Sequence, residues 1–214
     1  MVSSILLLFT DPDGFFRRDP KEWSDLKTPA VVVLIAGIIG AIFAYLRVPI
    51  MMQIYPENLK AAMGIVTYLA IPLGFIGVFL EWVVFTGILF VISMIFMGKG
   101  TFTRTLAAIG YGFLPIAIGS LIALILFAYY LPTIQVTPVK DVLDIQSATL
   151  ALTHSPVFQM VSLIGIIFLL WSANIWIFGL RYSRELTLRN ATISVGLPVL
   201  VYTVITFVLM GVFS

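Results

Sequence analysis

Cysteine is missing from this chain of 214 residues. Its absence excludes disulfides, thiolate metal sites, cysteine nucleophiles and palmitoylation. Histidine is almost missing too, and a lone His154 cannot build the usual histidine-rich metal constellations. Charge is the third scarcity. Asp, Glu, Lys and Arg make up 10% of the residues, against about 25% in ordinary soluble domains. A soluble fold of this size could not cover its surface with so few. The formal net charge of +2 is small and no basic face is visible, so no nucleic-acid partner is expected. No nucleophile–base pair, paired catalytic carboxylates or metal-ligand cluster stands out. Neither an enzyme nor a bound cofactor or metal is therefore expected. No internal repeat is found, which leaves an inverted-repeat transporter without support. The opening run Ile5-Leu6-Leu7-Leu8-Phe9 has no Lys or Arg before it and no small-residue cleavage site after it. It does not read as a cleaved signal peptide.

What the chain has in abundance is apolar length. Hydrophobic residues make up 61% of it, and mean hydropathy is +1.12. Lipid is the natural solvent for such a surface. Runs of about 20 apolar residues mark membrane spans. Five are read, at 29–46 (extending as far as 50), within 63–97, and at 106–131, 157–180 and 191–213. The second run alone would form a helix of roughly 52 Å, against a hydrocarbon core of about 30 Å. It is either two spans broken near Glu81 or one long, tilted helix kinked at Pro72.

Charge bias favours the single helix. With five spans and the N-terminus in the cytoplasm, the inner side carries Arg17, Arg18, Lys21, Lys27, Lys99, Arg104, Arg181, Arg184 and Arg189. The outer side carries Arg47, Lys60 and Lys140. That is nine cations against three, in the direction of the positive-inside rule. Splitting the run would leave five inside and seven outside. The sequence therefore predicts an all-α, five-transmembrane-helix bundle with a cytoplasmic N-terminus and an extracytoplasmic C-terminus. Residues 1–28 form a cytoplasmic arm and residues 29–214 the membrane domain. An outer loop at 132–156 has helical spacing at Val142, Ile145, Thr149 and Leu152. Such a protein is integral and multi-pass, in the cell membrane if the cell is prokaryotic.

Three segments carry a resemblance. Asp11-Pro12-Asp13-Gly14-Phe15-Phe16 is similar to the Asp-Pro-x-x-Phe-Phe pattern near the N-terminus of Yip1 domain proteins. Gly98-Lys99-Gly100-Thr101-Phe102 is similar to their Gly-Lys-Gly-x-Phe loop. Gly110-Tyr111-Gly112-Phe113-Leu114-Pro115 resembles their Gly-Tyr-x-x-x-Pro element. The resemblance implies five membrane helices and a cytoplasmic N-terminus. Eukaryotic members are associated with small prenylated GTPases and vesicle traffic. They carry a long cytosolic N-terminal region where this chain has an arm of 28 residues, so the resemblance does not extend to GTPase binding. The chain looks more like the compact prokaryotic members.

Individual residues sharpen the expectations. The arm sets the apolar run 5–9, Phe15 and Phe16 beside the cations Arg17, Arg18 and Lys21. It is expected to dock on the bundle or the bilayer surface, or to present Asp11, Pro12, Phe15, Phe16, Arg17 and Arg18 to a partner. Gly98-Lys99-Gly100 lacks the rest of a Walker pattern and reads as a tight inter-helix turn, with Thr101 or Thr103 capping the next helix. Tyr111 and Asn174 both lie roughly 10 Å from the inner ends of their spans. They are expected to face the bundle interior and bond across helices, for about 0.6 kcal/mol. Glu81 is a carboxylate inside a span, where it costs about 2.5–3.5 kcal/mol. By helix count it lies roughly 25 Å from the inner surface and Arg47 roughly 30 Å, so the two are expected to pair in the outer half. The alternative is a protonatable site in a pathway.

Gly37, Gly40, Ala41 and Ala44, and likewise Ala108 and Gly112, supply small-residue faces for close helix packing, within one chain or between copies. Pro115 and Pro198 are expected to kink their spans. Trp171 and Trp176 are expected in core or lipid-facing packing. Asn190-Ala191-Thr192 matches a glycosylation acceptor but falls on the inner side. The expected function is that of a non-enzymatic membrane protein that organises membranes or recruits partners. The bilayer, a membrane-protein partner or a second copy are its expected contacts. The alternative is a channel, carrier or lipid-translocating protein using Glu81, Arg47 and the kinked helices.

Overall fold

The computed structural model describes residues 2–136, 138–139 and 141–210, with the side chains of 2–4 and 142 set aside. Lys140, the Val142 side chain and the last residues of the expected fifth span, 211–213, lie outside the described residues. The architecture is all-helical. Helices α1 (Val2–Thr10) and α2 (Pro12–Phe16) form the arm, followed by α3 (Lys27–Ile54), α4 (Lys60–Ile95), α5 (Phe102–Tyr111) and α6 (Phe113–Tyr130). Helix α7 (Ile145–Thr153) occupies the long loop before α8 (Pro156–Ser183) and α9 (Leu188–Leu209). Five segments are long and apolar enough to cross a membrane: α3, α4, the α5–α6 pair, α8 and α9. Their outward faces are aliphatic, with Ile65, Ile95 and Ile125 all well exposed, as lipid contact requires.

Helix α4 is one unbroken element of 36 residues, helical through both Pro72 and Glu81. At 1.5 Å per residue it reaches roughly 54 Å, so it outruns the hydrocarbon core. Small residues set its packing against α3. Gly37 lies against Phe75, Gly40 faces Val78 and the Gly74 carbonyl, and Ala44 touches Gly74. The small-residue face of the first span is thus spent within the chain.

The third span is interrupted. Pro115 has no N–H to return to the Tyr111 carbonyl, and α5 ends at Tyr111 while α6 begins at Phe113. Two indoles serve the carbonyls around this break. Trp176 Nε1 donates to the Ile109 carbonyl at 2.8 Å, and Trp82 Nε1 to the Leu106 carbonyl at 2.9 Å. Gly112 must be glycine because a Cβ there would overlap the Trp176 indole ring. Pro198 lies inside α9, which stays helical through it.

The central core gathers Val33, Trp82, Leu89, Phe113, Trp176 and Val195 from all five spans. At the end away from the arm, Ile50, Ile54, Phe127, Leu152 and Phe158 form a second cluster. There α7 covers the bundle, and Val139 N–H donates to the Ile54 carbonyl at 3.0 Å.

Candidate functional site

The three motif segments, separated by up to about a hundred positions in the chain, meet at one end of the bundle. In the first, Asp11 caps α2 by accepting from Gly14 N–H at 2.9 Å, and Pro12 occupies the first turn, where its missing donor costs nothing. A Cβ on Gly14 would overlap the Asp11 carboxylate, which explains the small residue. The cap aims Phe15 and Phe16 into the bundle, where both are buried. Their rings lie 5.1 and 6.2 Å from that of Tyr111, the centre of the third motif segment, in edge-to-face geometry. Phe16 also meets Trp23, whose other neighbour is the Arg104 guanidinium at 5.3 Å. Farther back, Phe9 packs edge-on against Trp171 at 5.1 Å.

A polar latch closes beside this aromatic plug. Asp13 accepts from Arg181 Nη1 at 2.9 Å and from the Tyr182 hydroxyl at 2.9 Å, and it pairs with Arg17. Burial acts to raise the Asp13 carboxyl, but the Tyr182 hydroxyl and the Arg17 and Arg181 guanidinia outweigh it and hold the group below its ordinary value. A depressed carboxyl contributes stability that is complete above its unfolded-state pKa and is lost as pH falls through the lower folded-state value. Arm docking is therefore expected to persist at neutral pH and to loosen only in strong acid. Asp13→Asn is expected to abolish that acid sensitivity and to raise arm hydrogen exchange at pH 7. An exchange rate in the variant equal to wild type would show that the latch contributes nothing.

The second motif segment is held by a residue that the sequence marks only as one of the inner cations. Arg184, 3% exposed, follows α8 and reaches the loop between α4 and α5. Its guanidinium donates to the Gly98 and Gly100 carbonyls and to Ser93 Oγ at 2.8 Å, and lies 4.0 Å from the centre of the Phe90 ring. Its own carbonyl accepts from Lys99 N–H at 2.8 Å. Gly100 sits at φ +94°, and a Cβ there would overlap the Ser183 carbonyl. Both facts demand glycine. Thr101 caps α5, accepting from Arg104 N–H at 3.3 Å. Lys99 and Phe102 point outward and are exposed. The signal for this clamp lies in two polar residues, Ser93 and Arg184, bordering apolar runs.

Other expected contacts do not form. Asn174 is exposed. Ser172, Trp176, Gly179, Leu180 and Ser183 define the buried face of α8. At 100° per residue, Asn174 lies opposite that face. Tyr111 is buried, among the arm phenylalanines. Glu81 and Arg47 do not pair either. Arg47 is half-buried with its guanidinium 5.5 Å from the Phe158 ring, at the end away from the arm. Because Ala44 touches Gly74, Arg47 stands level with the preceding turn of α4, on the order of 15 Å of helix from Glu81. The neighbouring Trp82 instead bonds Leu106, early in α5. Pro12, Phe15 and Phe16, expected among partner contacts, are buried by arm docking. Asp11 and Arg17 remain exposed and Arg18 half-exposed. His154 is exposed at the end of α7.

Five apolar helices, with an arm and two loops latched across one end, define a compact multi-pass α-helical membrane protein. The chain belongs to the Yip1 domain family, whose model matches residues 6–210. It is 36% identical over 135 residues to an uncharacterized protein of Methanocaldococcus jannaschii, a match that covers 63% of this chain and 95% of that protein. No solved structure matches it.

Proposed function

We propose that this protein is a non-enzymatic membrane-organising factor of the trafficking type, which recruits a partner to the membrane through its latched arm face. The observation that carries this reading is the convergence of all three motif segments in one layer. Around that layer Arg17, Lys21, Lys27, Lys99 and Arg189 stand exposed, interleaved with Asp11, Asp19, Glu22 and Glu185. Such a mixed-charge rim suits a protein partner rather than a polyanion. The nine lysines and arginines of the inner segments, against three in the outer ones, support a cytoplasmic position for this face and an outer position for the C-terminus, in the cell membrane if the cell is prokaryotic. The burial of Phe15 and Phe16 in docking leaves little of this segment for a GTPase partner to grip. A carrier reading would rest on Glu81, Arg47 and the kinked helices, and the convergence of the motif segments at the arm face favours the recruiting reading over it.

Lys21→Glu, Lys99→Glu and Arg189→Glu change exposed side chains. The triple variant is expected to keep its thermal midpoint in detergent and to lose at least tenfold of its proximity-labelled partner in native membranes. Unchanged labelling would sink the proposal.

A further inference from the structure

A cavity of about 480 Å³ opens at mid-bundle between α4, α6, α8 and α9. Its only charged lining residue is Glu81, accompanied by the aromatic side chains of Phe85, Trp176 and Tyr202 and the hydroxyls of Ser120 and Ser162. Among the described residues no Lys or Arg forms an ion pair with Glu81. An apolar pocket of this size with a few convergent polar groups suits a small molecule. Glu81 and Tyr202 are exposed, so the cavity opens sideways at the outer surface of α4 and α9. A second, apolar cavity of about 280 Å³ lies between α3, α6 and α8. The two share Ile116, Ser120 and Gly165 as common walls.

We propose that these joined cavities bind a lipid-soluble organic ammonium, with its cationic head at Glu81 and its hydrocarbon chain running past Gly165 into the second cavity. A carboxylate at this depth is costly without a counter-charge. A single carboxylate in a pocket that also carries aromatic side chains is the chemistry that recognises an alkylammonium, through ion pairing and cation–π attraction. Among the described residues no Lys or Arg pairs with Glu81, and Arg47 lies at Phe158 instead. The hydrocarbon tail distinguishes this ligand from a water-borne amine and routes its entry through the bilayer. This inference is independent of the partner-recruiting reading, since it concerns the opposite side of the Trp82–Trp176 core from the arm.

The test uses the full chain in lipid nanodiscs with radiolabelled dodecylamine. Saturable binding of one amine per chain is expected, competed by dodecyltrimethylammonium and not by dodecanol. Glu81→Gln is expected to weaken it at least tenfold with the thermal midpoint preserved. Should that variant misfold, Gly165→Leu probes the same site from its other end. A Cβ at Gly165 meets nothing within 4 Å and Gly165 lines both cavities, so a leucine there is expected to fill space the ligand needs and to weaken binding at least tenfold. Non-saturable binding, equal competition by dodecanol, or full affinity in a folded Glu81→Gln or Gly165→Leu protein would overturn the proposal. So would exclusion of the amine by a co-purifying membrane helix that carries a lysine.

Discussion

Arg184→Ala is expected to cost about 3–5 kcal/mol, the largest single loss in this protein, because it strands buried acceptors that one guanidinium satisfies. The Gly98 and Gly100 carbonyls and Ser93 Oγ all face Arg184, and Gly100 has no conformational freedom to turn away, packed as it is on the Ser183 carbonyl. Water cannot readily replace a side chain that is 3% exposed. Arg184→Lys is expected to recover little, since one ammonium cannot reproduce a planar fork aimed at two carbonyls. A thermal midpoint in detergent lowered by roughly 10 °C or more is the expected reading. An unchanged midpoint would mean that the loop between α4 and α5 holds its shape without the clamp. The orientation of Lys99 and the start of α5 depend on this loop, so the arm face should lose its order with it.

Phe16→Ala is the second large effect, and it separates the arm from the bundle. Phe16 is 1% exposed and touches Phe15, Trp23 and Tyr111. Truncating a buried phenylalanine costs about 3–5 kcal/mol. Here the loss falls on docking, because the arm precedes the first span and its removal leaves the main helix interfaces intact. The docked fraction should drop by roughly a hundredfold or more. Trypsin should then cut after Arg17 or Arg18 in a protein whose bundle remains folded, whereas the wild type resists. Phe16→Leu should be intermediate. Global unfolding of Phe16→Ala would instead make the arm part of the folding core, and equal trypsin resistance would show that the plug is dispensable.

Much of the fold is legible in the chain because span formation depends on sums. Hydropathy adds along a window, so the five spans are found where they are expected. Charge counts across loops favour one long α4 over two shorter spans, and α4 is unbroken. Pro115 falls just after the break between α5 and α6, where a donor is missing from the helix, while Pro49, Pro72 and Pro198 lie inside continuous helices.

The contacts are less legible. Asn174 has the wrong azimuth, and Glu81 and Arg47 do not meet. Arg184 reads as one more inner cation. Its burial follows from the α8–α9 turn reaching back to the α4–α5 turn across 84 positions. The sequence by itself determined the solvent, the number of spans and the break at Pro115, all set by composition and local chemistry along one chain direction. Tertiary structure alone decided which side chains meet: the phenylalanine plug, the Arg184 clamp and the separate surroundings of Glu81 and Arg47. Those depend on the rotation and register of one helix against another, and these are fixed by steric fit between distant residues such as Gly37 against Phe75 and Gly112 against Trp176.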